Sequence, residues 1–222
     1  SLLSANLGIA LANRGARVVL VDADLGGANL HTCLGVGQPS VSLSDFVEKR
    51  VERIEDVLVE TGIDRLSLVS GAFDGLDAAN PKHAQKMKLI KRLPTLDVDY
   101  VLIDLGAGTS FNVLDFFLSA DTGVVVVLPE PTSIENAYRF IKAAFFRRLQ
   151  TMAVNDGFAE RISQVLAPRP GELPQTPWDV VSDLRETDVE AANRLEQGLR
   201  GFHPWLVVNH DDARRRRSPR RR

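Results

Sequence analysis

Apolar residues follow two rhythms along this chain. Short, nearly continuous apolar runs ending on an acid, a glycine or a proline alternate with longer stretches whose apolar positions recur every three to four residues. The runs at 17–22 (RVVLVD), 65–71 (RLSLVSG), 99–108 (DYVLIDLGAG), 122–131 (TGVVVVLPEP) and 204–210 (PWLVVNH) predict strands of a sheet buried on both faces. The stretches between them predict helices over 2–13, 44–49, 78–96, 112–119 and 133–152. Gly15 suits the left-handed position past the first helix, Ser42 or Ser44 can cap the second, and Pro81 can open the third. Thr132 or Ser133, with Glu135 nearby, is close to a capping box for the last. Such alternation predicts an α/β fold, a mostly parallel sheet with helices on both faces in three layers. Residues 154–201 are polar and helical, interrupted by APRPGELPQTP, and no internal repeat is present.

At 222 residues, 44% hydrophobic and 25% charged, the chain can bury one sizeable core. The formal net charge of −2 conceals an asymmetry, because residues 214–222 carry seven arginines and no acid. The remaining body is acidic and a poor nonspecific nucleic-acid binder; adhesion to nucleic acid or to anionic membrane would have to come from that tail. One cysteine, Cys33, excludes a disulfide framework. No apolar run reaches the length of a membrane span, so a cytoplasmic protein, at most peripheral to the inner membrane, is expected.

The chemistry lies at the strand ends, since ligands of parallel α/β sheets sit outside the carboxyl ends of the strands. Those ends read Asp22-Ala-Asp24, Ser70-Gly71, Asp104-Leu-Gly-Ala-Gly108, Pro129-Glu130-Pro131 and Asn209-His210. Acids at the tips of buried strands need a partner, which a lysine, a metal ion or a nucleotide could supply. VLIDLGAG has the form of a Walker B strand: its aspartate would hold a water of bound Mg²⁺, and its last glycine would let a backbone N–H approach a phosphate. Each acid also has a plain reading as a turn former or helix cap. A dinucleotide site would need a G-x-G-x-x-G fingerprint upstream, and residues 1–21 contain none.

Together SLLSANLGIALANRGARVVLVDADLGGANL, YVLIDLGAGTS and VVVVLPEPTSIENAYRFIK resemble, in order and spacing, the MinD/ParA group of deviant Walker P-loop ATPases, and most of all the FlhG/FleN-type MinD-like proteins that number and place flagella. The resemblance implies a single P-loop ATPase domain over 1–210 with a helical insert near 154–204, followed by an arginine-rich tail at 211–222. It implies that ATP and Mg²⁺ are the cofactors, that the protein forms an ATP-dependent homodimer, and that it serves a protein partner of a positioning system. Ser1 would be the hydroxyl residue of the phosphate-binding loop and a metal ligand, so the chain is expected to begin just after the loop lysine. Such a chain would be inactive by itself. By the same resemblance Asp24 positions the hydrolytic water, Asp104 holds Mg²⁺ through water, and Asp22 is metal-proximal. Ser1, Leu2, Asp22 and Gly108 would line the phosphates, and Asn209 and Pro129 the base and ribose. A noncatalytic scaffold with the same fold is the alternative.

Other residues have bland readings. Cys33 is expected to be a small core filler, and His31, His83, His203 and His210 lack metal-ligand spacing. The basic cluster at 82–92 reads as a solvated helix face, and Phe140, Phe145 and Phe146 as core packing.

Overall fold

In the computed structural model, residues 1–24, 27–71, 83–155, 160, 162 and 176–209 are described. Gly26, Pro81, His210, the APR…QTP interruption up to 175 and the arginine-rich tail lie outside them. The chain divides into two compact units, Ser1–Ser119 and Ala120–Arg222.

The first unit is a four-stranded sheet in the order β2-β3-β1-β4, where β1 is Val18–Asp22, β2 Leu58–Glu60, β3 Leu66–Val69 and β4 Tyr100–Asp104. β1 pairs in parallel with β3 and β4, while β2 runs antiparallel to β3. Strand β1 is buried along its whole length, as its apolar run predicts. Its alternate residues serve two cores. Val18 and Leu20 meet Ala5 and Ala12 of helix α1 (Leu2–Ala12) and Leu30 of the short α2 (Leu30–Cys33). Val19 and Val21 meet Phe46 of α3 (Leu43–Val47), Leu89 of α4 (His83–Arg92) and Phe116 of α5 (Phe111–Ser119). This is the three-layer α/β arrangement expected.

The second unit pairs β5 (Val124–Val127) in parallel with β6 (Trp205–Val208). The expected strands therefore all form, and among the described residues they pair as two sheets, with β4 bonded to β1 and β5 to β6. A 25-residue helix, α6 (Pro131–Asn155), carries Leu149 and Ala153 into a core with Val180 and Leu184 of α7 (Pro177–Thr187) and Leu195 and Leu199 of α8 (Val189–Arg200). Phe145 and Phe146 pack against that core, as their spacing predicts.

Several local expectations are corrected. Helix α6 starts at Pro131, whose fixed φ and missing N–H suit a first helical position. Ser133 Oγ instead accepts the N–H of Leu128 at 2.9 Å, and Glu135 pairs with Arg139 at 2.6 Å. Cys33 is exposed, not a core filler, because α2 turns Leu30 inward and its last residue outward. The basic cluster is not a uniformly solvated face. Lys86 is buried in an ion pair with Asp115, and Lys88 donates to the carbonyl of Phe46 at 2.9 Å with its ammonium 3.8 Å from the ring centroid.

Candidate functional site

Strand register brings the first two acids together. Val18 to Asp22 pair one to one with Tyr100 to Asp104, so Asp22 and Asp104 stand side by side at the carboxyl ends of β1 and β4. Both are nearly buried, at 2% and 6% exposed. An apolar strand cannot keep such groups without partners, and each has its own.

Asp22 is satisfied by backbone. Its Oδ2 accepts the N–H of Leu30, the first residue of α2, at 2.9 Å, and its Oδ1 accepts the N–H of Asp24 at 3.2 Å. Burial pushes its carboxyl above the usual carboxylate range, the two N–H donors oppose this, and the charges of Asp104 and Asp24 add to it. Asp22 thus ties down the segment that carries Asp24. Asp104 is satisfied by α1. Its Oδ1 accepts the Ser4 hydroxyl at 2.6 Å.

Asp24 is half-buried, held between two glycines from different loops. A Cβ on Gly106, in the loop after β4, would stand 2.6 Å from Asp24 Oδ1, and one on Gly27 would stand 3.3 Å from its Oδ2. On the other side of β1, a Cβ on Gly71 would fall 2.0 Å from the Asp22 carbonyl oxygen. Gly108 adopts φ +108°, a conformation that favours glycine. Asp24, Gly71 and Gly106, at the ends of β1, β3 and β4, therefore crowd one edge of the sheet.

The structure thus gathers Ser1, Asp22, Asp24 and Asp104 at one edge of the first unit, with the Gly108 loop following β4. Leu2 is 69% exposed on the first turn of α1. Asn209 and Pro129 belong to the second unit, at the ends of the adjacent strands β6 and β5, where the Asn209 N–H donates to Val127 at 2.8 Å. Reading by motif passes over Ser4, and it marks Gly71 and Gly106 as strand-end glycines without the close approaches they make. Ser4 could have been noticed as a hydroxyl one turn inside an apolar helix; the two glycines follow strand ends.

The oxygen donors suit a hard cation. Among the described residues no group of three or more His, Cys, Asp or Glu could hold a metal ion. Asp104 beside the Ser4 hydroxyl offers one carboxylate, and Mg²⁺ is a cation that keeps several waters and binds through one or two carboxylates together with phosphate. Among the described residues no helix is long and apolar enough to cross a membrane.

The ParA family model, described as NUBPL iron-transfer P-loop NTPase, matches residues 1–173. The chain is 36% identical over 141 residues to the antiactivator FleN of Pseudomonas aeruginosa, covering 63% of this chain and 49% of FleN. It is 33% identical over 139 residues to the septum site-determining protein MinD of Bacillus subtilis, covering 62% of this chain and 52% of that one. The chain thus spans about half the length of the curated relatives it matches. Among solved structures, MinD of Pyrococcus horikoshii complexed with Mg-ADP is 26% identical with a TM-score of 0.53, over 61% of this chain and 55% of that one. The MinC:MinD complex of Aquifex aeolicus is 27% identical with a TM-score of 0.55, over 95% of this chain and 93% of that one. The strand-end carboxylates, the apolar first helix and these matches lead to one conclusion: the chain belongs to the ParA family of P-loop NTPases, with a MinD-like α/β fold.

Proposed function

We propose that the whole protein is an ATP-binding, slowly hydrolysing switch of the MinD/ParA kind. It binds Mg·ATP, pairs with a second copy, and through a protein partner positions flagella, a division site or another cargo. The observation that carries this reading is the register of Asp22 with Asp104 beside α1, with the Ser4 hydroxyl bonded to Asp104.

In this reading Ser1 and Asp104 hold Mg²⁺, the latter through water, and the ion when bound offsets the charge of the phosphates. Asp24 accepts a hydrogen bond from the attacking water and orients it. Asp22 keeps Asp24 in place through the bonds to Leu30 and Asp24. Gly108 brings a backbone N–H close to phosphate, and Asn209 and Pro129 contact the base and ribose.

The test is binding of a fluorescent ATP analogue and phosphate release in the full-length protein. Asp24→Ala should keep ATP affinity within a few-fold and lose about a hundredfold or more in turnover, the scale of a positioned acid–base group. Tight binding with no turnover in the wild-type protein would instead support the scaffold reading, and absence of Mg·ATP binding would overturn both.

A further inference from the structure

We propose that Ser4 is a positioning residue that sets which oxygen of Asp104 is presented at the site. What Asp104 then serves rests on the nucleotide reading above; the contact itself rests on geometry. Helix α1 turns three small buried residues, Ala5, Gly8 and Ala12, toward the sheet. A Cβ on Gly8 would stand 3.0 Å from Leu20 Cδ1, tighter than ordinary contact, so the missing side chain lets α1 settle close against β1. One turn before Gly8, the Ser4 hydroxyl then reaches Oδ1 of Asp104 at 2.6 Å, across 100 residues of sequence.

A serine inside a helix usually faces solvent or bonds back to the carbonyl of the preceding turn. Ser4 does neither. Its acceptor is a carboxylate only 6% exposed, where a charge-assisted hydrogen bond is strong and its loss is costly. With Oδ1 held by the Ser4 hydroxyl, Oδ2 takes no hydrogen bond among the described residues. Oδ2 is therefore the oxygen left for a metal-bound water. Ser4 links the helix that begins at the phosphate end of the site to the acid on β4, so that helix and acid keep one mutual orientation.

The experiment uses the full-length protein in two measurements. Fluorescent ADP binding is titrated with Mg²⁺, starting from excess chelator. Ser4→Ala should raise the Mg²⁺ midpoint about tenfold while metal-free ADP affinity changes by less than twofold, and Ser4→Thr, which keeps the hydroxyl, should restore the midpoint. A midpoint unchanged in Ser4→Ala, an equal loss of metal-free affinity, or no rescue by Ser4→Thr would overturn the proposal. The second measurement is independent of nucleotide: a thermal-unfolding cycle of Ser4→Ala and Asp104→Ala. Ser4→Ala should lower Tm in the wild-type background and leave it unchanged in the Asp104→Ala background. Equal shifts in both would show that the contact does not form. If the cycle shows coupling but no variant binds nucleotide, the nucleotide reading fails, and with it the role given to Oδ2.

Discussion

Asp22 and Asp104 are register partners at the ends of neighbouring strands, yet they are held by different donors: Asp22 by the backbone N–H groups of Leu30 and Asp24, Asp104 by the side chain of Ser4. Two carboxylates this close and this buried repel each other, and burial already pushes Asp22 upward. Separate sets of donors let both stay in place.

Loss of the Asp22 acceptor should be felt at α2. Leu30 is fully buried, so Asp22→Ala leaves its N–H without a partner, and a stability loss of about 1–3 kcal/mol is expected. Asp22→Asn keeps one acceptor oxygen and should lose less. Urea unfolding with an unchanged m-value would check this, and equal stability of Asp22→Ala and wild type would contradict it.

Glycines crowded by backbone and glycines crowded by a flexible side chain should differ. At Gly71 an added methyl meets the Asp22 carbonyl, which can yield only by moving the strand end. At Gly198 it meets the Cε of Met152, which can change rotamer. Gly71→Ala should cost about 1–3 kcal/mol, the range for overpacking a filled interior. Gly198→Ala should cost much less. Thermal shifts of the two variants side by side give the comparison.

The Lys86–Asp115 pair joins α4 to α5, the helix that follows the Gly106–Gly108 loop. Lys86 is 3% exposed, so Lys86→Met removes the buried cation that faces Asp115 and should cost on the order of a few kcal/mol. Replacing both, as Lys86→Met with Asp115→Leu, should recover most of that. A double variant less stable than Lys86→Met would show that the pair is not the main tie between these helices.

Asp45 gives a pH signature. Burial pushes its carboxyl up, but the Ser42 N–H and hydroxyl and the Arg50 guanidinium outweigh this and hold it below the usual carboxylate range. A depressed carboxyl binds its proton less readily in the folded state, so its stabilisation is present above the ordinary carboxylate value and is lost as pH falls through the depressed one. The difference in unfolding midpoint between wild type and Asp45→Ala should be constant from neutral pH down to about pH 4 and shrink below it. A difference that grows in acid would reverse the sign argued here.

Much of the fold is legible in the chain. The apolar runs mark β1, β3, β4, β5 and β6, and the helical periods mark α1 and α3 to α6. Strand β2 escapes because three residues, Leu58–Glu60, are too few to show a period. Lys86 and Lys88 escape because a lysine is read as solvated until the neighbours that bury its stem, here Phe46 and Asp115, are known. Of the site, the strand-end runs mark the acids, Gly71, Gly106 and Gly108, while Ser4 has no motif that names it and the close approaches of Gly71 and Gly106 leave no local trace.

The sequence by itself determined the strands, their acidic and glycine-bearing ends, and the apolar first helix, because buried strands and tight turns select residues locally. Only the tertiary structure decided that Asp22 meets Asp104, that Ser4 reaches across 100 positions to bond the latter, and that the strands pair in two sheets. Register and helix depth set those contacts. Helix depth depends on small residues such as Gly8 yielding space to Leu20, register depends on pairing between strands distant in the chain, and no local period records either.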